Sequence, residues 1–260
     1  MRNILKEKLQ RGETVVGILT GLGHADVTEQ LSRIGFDFIY LDDEHGPMGY
    51  ETLLRMMQSM NGTDCTPIVR VEWNDATVIK RVLDIGAHGI VIPMVSSRED
   101  AEKAVAACKY PPQGIRGYGP RRYALTDPDY LKTANDAILV TAIIETGRAV
   151  ENVEEILSVD GLDACLMGHF DLSLDTGMPI PPVMPPGKDN PRLAEALDKV
   201  IQASKKTGKP AGLAVDGSNI GWAIEKGFRF NLVGSVDKLL FDAARGALEI
   251  ARKEAAGHRK

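Results

Sequence analysis

Apolar and polar positions fall along this chain in blocks: a short run rich in β-branched and aliphatic residues, a polar loop, then a stretch with helical spacing. The β-rich runs are TVVGILTG (14–21), FDFIYLDDE (36–44), PIVRVE (67–72), GIVIPMV (89–95), ILVTAIIE (138–145), GLDACLMG (161–168), PAGLAV (210–215) and RFNLVGS (229–235). Their near-continuous apolarity predicts parallel strands covered on both faces. Helical spacing recurs at 26–34, 50–60, 76–85, 97–109, 149–159, 191–207 and 218–226, and a last helix is expected over about 236–256. Several of these stretches end in a glycine phrase (RIGFDF, DIGAHG, KTGKPAG, EKGFRF), as a helix does when its C′ residue turns left-handed. Eight strand–helix units are the arithmetic of a closed (β/α)8 TIM barrel. The competing open, doubly wound sheet lacks its phosphate-binding GxGxxG after the first strand, so closure is the expectation.

Two segments break the repeat. Residues 110–132 read as a long loop carrying Arg116, Arg121 and Arg122, and 177–191 holds six of the 14 prolines and reads as a stiff, extended connector. Long loops in compact domains are functional, interfacial or simply solvated.

Composition narrows the class. A length of 260 residues allows two domains or one barrel, and the unit count assigns all of it, 1–260, to a single domain. A net charge of −5 offers no electrostatic footprint for nucleic acid. No apolar run is long enough to span a membrane, and the charged N-terminal stretch lacks the apolar centre of a signal peptide. Cys65, Cys108 and Cys165 are odd in number and form no CxxC, which suits reduced thiols in the cytoplasm.

In a barrel of this kind the chemistry gathers at the C-terminal ends of the strands. There the sequence sets Asp42-Asp43-Glu44-His45, Arg70, Glu145, Asp171 and Asp216. Glu145 and Asp171 follow consecutive strands, which lie about 4.8 Å apart, so the two carboxylates can reach one ion. Without a His or Cys at fixed spacing, the pair suits a hard divalent cation such as Mg²⁺ or Mn²⁺. Asp171 reads equally as a helix cap. His45 is a candidate general base, or a surface loop histidine. Arg70, inside a strand, needs an anionic partner: a substrate oxyanion in the functional reading, Glu145 or Glu72 in the plain one. No expected strand carries a lysine, and Lys209 and Lys226 precede theirs, which argues against Schiff-base chemistry.

Taken together, DFIYLDDEHGP, PIVRVEWNDATVIKRVLDIGAHGIVIPMV, YPPQGIRGYG, IIETGRAVEN, DLSLDTG and the late VGS resemble the HpcH/HpaI family of class II pyruvate aldolases, in collinear order over most of the chain. The resemblance implies a barrel with a divalent metal ion (Mg²⁺, Mn²⁺ or Co²⁺). It implies reversible aldol cleavage of 4-hydroxy-2-oxo acids to pyruvate and an aldehyde, small-molecule partners, and a hexamer whose dimers exchange the C-terminal helix. By position it makes Glu145 and Asp171 the metal carboxylates, His45 the base and Arg70 the support for the enolate oxygen. It also makes Asp84 a carboxylate acting on His45, through water or from a neighbouring subunit.

Three places depart from the family pattern. Ile143 stands where glutamine is common, Gly168-His169-Phe170-Asp171 replaces Gly-Pro-x-Asp, and Asp43 replaces a small residue. These positions, Gly168 to Asp171 included, frame the oxo-acid oxygens, so hydroxypyruvate is an alternative donor. Oxaloacetate decarboxylation or CoA-ester cleavage, as in citrate-lyase β-like relatives, is the alternative activity. The Arg116–Arg122 loop is its one candidate nucleotide cleft. A non-catalytic barrel would be expected to have lost some of the named residues.

Overall fold

The computed structural model describes residues 1–181 and 185–258. Eight parallel strands close in sequence order, the eighth pairing with the first. They are β1 (Val15–Thr20), β2 (Phe38–Asp42), β3 (Thr66–Arg70) and β4 (Gly89–Ile92), then β5 (Leu139–Ile144), β6 (Ala164–Met167), β7 (Ala211–Val215) and β8 (Phe230–Ser235). All eight β-rich runs read from the sequence are strands, and the barrel is confirmed.

The two-residue period of the pleat divides each strand between two cores. In β2, Phe38 and Tyr40 point into the barrel with Ile68, Leu139, Ile143, Leu166 and Leu232. Ile39 and Leu41 point outward, into the second cluster, which also holds helical residues such as Leu53, Ile79, Val82 and Val200. This double burial is why the runs look uniformly apolar in sequence.

The helix Ile4–Gln10 seals the bottom of the barrel. Leu5 and Leu9 enter the inner cluster, while Lys6 pairs with Asp163 (2.8 Å) and Lys8 with Asp37 (2.5 Å). Just above, the Phe38 and Phe230 rings meet at 4.8 Å between centroids. A Cβ on Gly17 would overlap the Phe38 ring, so this strand position admits only glycine without rearrangement. The four helix-ending glycines of the sequence reading, Gly35, Gly86, Gly208 and Gly227, all have positive φ (112°, 119°, 72° and 115°).

Helix boundaries depart from expectation in three places. The stretch 149–159 is two short helices, Gly147–Glu151 and Val153–Leu157, hinged at Asn152, whose side chain donates to the Ser96 carbonyl (2.9 Å). The loop over 110–132 holds a 3₁₀ turn at Tyr123–Leu125 and runs into a helix, Tyr130–Ala137. It is organised around Arg116, whose buried guanidinium lies over the Tyr110 ring (4.5 Å), donates to Tyr130 Oη (3.1 Å) and pairs with Asp84 (2.8 Å). A further short helix, His169–Asp175, follows β6 directly. Of the proline-rich connector, residues 182–184 lie outside the described residues, and 186–189 form a turn rather than extended chain. No helix among the described residues is long and apolar enough to cross a membrane.

His88, just before β4, has its Nδ1 buried beside Tyr123 and without a partner among the described residues. Burial, then Arg122 and the N-terminal ammonium, lower its pKa from 6.5 to about 4. The unfolded chain takes up this proton near 6.5 and the folded chain only near 4. The resulting stability is therefore complete above 6.5 and is lost as pH falls through that window, at most about 3 kcal/mol. Urea denaturation from pH 7 to 4 should show a shallower loss of stability in His88→Gln than in the unaltered protein; equal slopes would exclude this contribution.

Candidate active site

The strand ends frame a cavity of about 750 Å³ at the C-terminal mouth of the barrel, lined among others by Tyr40, His45, Arg70, Glu145, Gly168 and Asp171. Its floor is built by strand pairing. Asp42 and Arg70 are register partners on β2 and β3. The guanidinium grips Asp42 with Nε to Oδ1 at 2.8 Å and Nη2 to Oδ2 at 2.7 Å, and its Nη1 lies 2.9 Å from Glu44 Oε2. Arg70 therefore pairs with Asp42 and Glu44, and not with Glu145 or Glu72 as the plain sequence reading had it. Burial acts to lower its pKa, but Tyr40, Asp42 and Glu44 outweigh this and raise it.

Glu145 follows β5 and is 3% exposed. Its Oε1 accepts the Met94 backbone N–H at 2.6 Å. Met94 is the one non-glycine with positive φ among the described residues (56°), a conformation that turns its N–H toward the carboxylate. A Cβ on Gly168 would stand 2.6 Å from Glu145 Cβ and 2.8 Å from Oε2, so this glycine makes room for the carboxylate. Burial lifts the Glu145 pKa to about 7; the Met94 bond opposes the rise, while Glu44 and Asp171 add to it. Burial raises Glu44 as well, with Arg70 acting against it.

Asp171 sits in the first turn of the helix His169–Asp175, whose N-cap is Gly168, so it is not the cap residue. It shares the cavity with Glu145. Oxygen donors of two carboxylates, one of them raised chiefly by burial and then by its acidic neighbours, fit a hard divalent cation. Among the described residues no three His, Cys, Asp or Glu side chains close around one point. An ion held here would take the rest of its shell from water or substrate oxygens.

His45 lies at the rim, its side chain 65% exposed and its Nε2 3.8 Å from Glu44 Oε2. The backbone of the loop is tied down by the His45 N–H, which donates to Asp42 Oδ1 (3.3 Å). Gly168, His169 and Phe170 also line the cavity. His169 is 1% exposed and, among the described residues, both ring nitrogens lack a hydrogen-bond partner. Asp84 is not brought to this site within the chain. It ends the helix Ala76–Asp84, which runs back from the mouth toward the bottom, and there it binds Arg116.

Sequence reasoning set Glu44 at the mouth without a role and missed Tyr40 and Met94. The alternation Tyr40, Asp42 on a strand was a usable signal for an inward row; the left-handed turn at Met94 left none. It also missed Lys238, which lines the mouth from the helix after β8. That amine is held by Asp242 (2.5 Å), which raises its pKa and keeps it protonated. Lys209 and Lys226 are engaged elsewhere, with the Val159 carbonyl (2.5 Å) and Asp198 (2.9 Å).

A profile of HpcH/HpaI aldolase/citrate lyase proteins matches residues 17–243. The chain belongs to this family. Among curated HpcH/HpaI relatives, a 4-hydroxy-2-oxo-heptane-1,7-dioate aldolase of Salmonella dublin is 37% identical over 97% of this chain and 95% of its own length. A family protein of Burkholderia cenocepacia J2315 superposes with a TM-score of 0.88 at 28% identity, covering 96% of this chain and 99% of its own. An HpcH/HpaI aldolase of Desulfitobacterium hafniense DCB-2 does so with a TM-score of 0.84 at 32% identity, over 95% and 96%.

The crowding at Gly168 yields a test. Gly168→Ala should displace the Glu145 carboxylate and weaken Mn²⁺ binding about tenfold or more by calorimetry, with the circular dichroism spectrum retained. Unchanged Mn²⁺ affinity would show that Glu145 does not hold the ion.

Proposed function

We propose that this HpcH/HpaI protein is a metal-dependent aldehyde-lyase that reversibly cleaves 4-hydroxy-2-oxo acids to pyruvate, or hydroxypyruvate, and an aldehyde. The observation that carries the reading is one cavity holding a buried carboxylate, Glu145, beside Asp171, the Arg70 fork and His45. Glu145 and Asp171 would hold a divalent ion (Mg²⁺, Mn²⁺ or Co²⁺), which when bound polarises the 2-oxo group as a Lewis acid.

The remaining steps belong to the chain. His45 at the rim takes the proton of the 4-hydroxyl, directly or through water. The C3–C4 electron pair then remains with C3 as the C–C bond breaks, giving an aldehyde and the enolate of pyruvate. Arg70, locked by Asp42, presents its positive charge without reorganising as the enolate forms. Protonation at C3 completes the reaction. Gly168, His169 and Phe170 frame the oxo-acid oxygens. CoA-ester cleavage is less well supported, because Arg116 is buried against Asp84 and Arg122 is spent on Met57, Ile85 and Asn61.

The assembly is part of the same proposal. The helix Val236–Gly257 has no buried residue, and Leu239, Leu240, Phe241, Leu248 and Ile250 are all at least half exposed. Such a row calls for a partner, and we assign it to exchange between subunits of a hexamer. In that assembly Asp84 reaches a His45 of another copy. The three buried cysteines, each pushed up to about 12 by burial, suit a reducing cytoplasm.

A screen of pyruvate and hydroxypyruvate with assorted aldehydes should show adduct formation with Mn²⁺ and none in chelator. His45→Ala should lower kcat roughly 10²–10⁴-fold with Mn²⁺ affinity intact. Full activity in chelator would overturn the metal role, and unchanged turnover in His45→Ala would remove the base. For the assembly, light scattering should give a hexamer mass that Leu240→Asp with Phe241→Asp reduces; a monomer in the unaltered protein would refute the exchange.

A further inference from the structure

On β2 the inward row is Phe38, Tyr40, Asp42, so Tyr40 projects into the barrel one step below the carboxylate that Arg70 grips. Tyr40 is 2% exposed, yet it lines the cavity, and among the described residues no hydrogen bond engages its hydroxyl. A phenol with a buried ring and a hydroxyl at a cavity wall is placed to meet an oxygen bound there. The Arg70 guanidinium stands 5.7 Å from the Tyr40 ring centroid, and all three of its nitrogens already face Asp42 and Glu44. The neighbouring inner walls, Leu19, Ile143, Leu166 and Leu232, are apolar. Ile143, the β5 residue in the cavity lining, offers no polar atom there. Tyr40 Oη is thus a donor at this floor that no hydrogen bond among the described residues engages.

We infer that the Tyr40 hydroxyl is a substrate contact, donating its hydrogen bond to an oxygen of the bound 2-oxo acid as enolate charge develops there. This rests on the aldolase reading and adds to it a residue that the family pattern did not supply. Burial holds the proton on the phenol, and Asp42, Glu145 and Glu44 reinforce this against the pull of Arg70. Tyr40 therefore donates rather than bearing charge itself. Donors fixed in a dry floor act most strongly where charge appears during reaction.

Tyr40→Phe removes only the oxygen and keeps the ring beneath Arg70, so the fold should stand, as a thermal melt would verify. Two readouts on the full-length, Mn²⁺-loaded protein separate the role from simple packing. One is binding of oxalate, a planar analogue of pyruvate enolate; the other is exchange of pyruvate methyl protons in D₂O followed by NMR. Tyr40→Phe should weaken oxalate about tenfold or more and slow exchange by roughly 10²-fold, with Mn²⁺ affinity unchanged. Oxalate binding and exchange equal to the unaltered protein would overturn the role of Tyr40 and leave the aldolase reading standing. If the unaltered protein neither binds oxalate nor exchanges those protons, both readings fall together.

Discussion

One guanidinium organises the mouth of this barrel. Arg70 is gripped by Asp42 across a strand pair and touched by Glu44, and around that fork stand Glu145 and Asp171. Carboxylates gathered in a low-dielectric pocket repel one another, and a single arginine does not balance them. Glu145 records the imbalance, with its pKa lifted to about 7 by burial and its acidic neighbours. A second positive charge would restore the balance, and carboxylate oxygens suit the hard cation proposed for that role. The residual demand for a cation, more than any single contact, links the fold to the proposed chemistry.

The barrel makes this arrangement possible by dividing labour between its ends. The bottom is closed with hydrocarbon and aromatic packing, through Leu5, Leu9, Phe38 and Phe230, with Gly17 yielding the space the Phe38 ring takes. The mouth carries polar groups at β-strand ends, where neighbouring backbones hold them rigidly. Small residues and strained backbone then do fine positioning: Gly168 clears room for Glu145, and Met94 adopts a left-handed turn that points its N–H at the carboxylate. Both are consistent with stability being traded for geometry at a working site.

The uncommitted surface is as informative as the core. A 22-residue terminal helix with no buried residue cannot be explained by the barrel it follows. Asp84, attached to Arg116 far from the mouth, likewise has no role for the His45 of its own chain. Both fit the exchanged assembly proposed for this family member, in which neighbouring copies supply what one copy lacks.

How much could be read beforehand follows from the range of each interaction. Strand positions, the closed barrel, the left-handed helix ends and the residues at strand ends were legible, because double burial and glycine's freedom leave local marks. Choosing Glu145, Asp171, His45 and Arg70 as candidates needed only the rule that chemistry sits where strands end, supported by collinear family motifs, and all four line one cavity. The partner of Arg70 was misread, since Asp42 meets it through strand register 28 residues away, which composition and spacing do not encode. The packed interior of the Arg116 loop was invisible for a similar reason: Tyr123 stacked on Tyr130 (4.5 Å between centroids) and the buried Arg116–Asp84 pair, not local propensity, stabilise that loop. The sequence alone determined which residue types stand at the mouth. Only the tertiary structure decided which of them face one another, because hydrogen bonding and charge balance depend on distances between strands that the chain brings together from far apart.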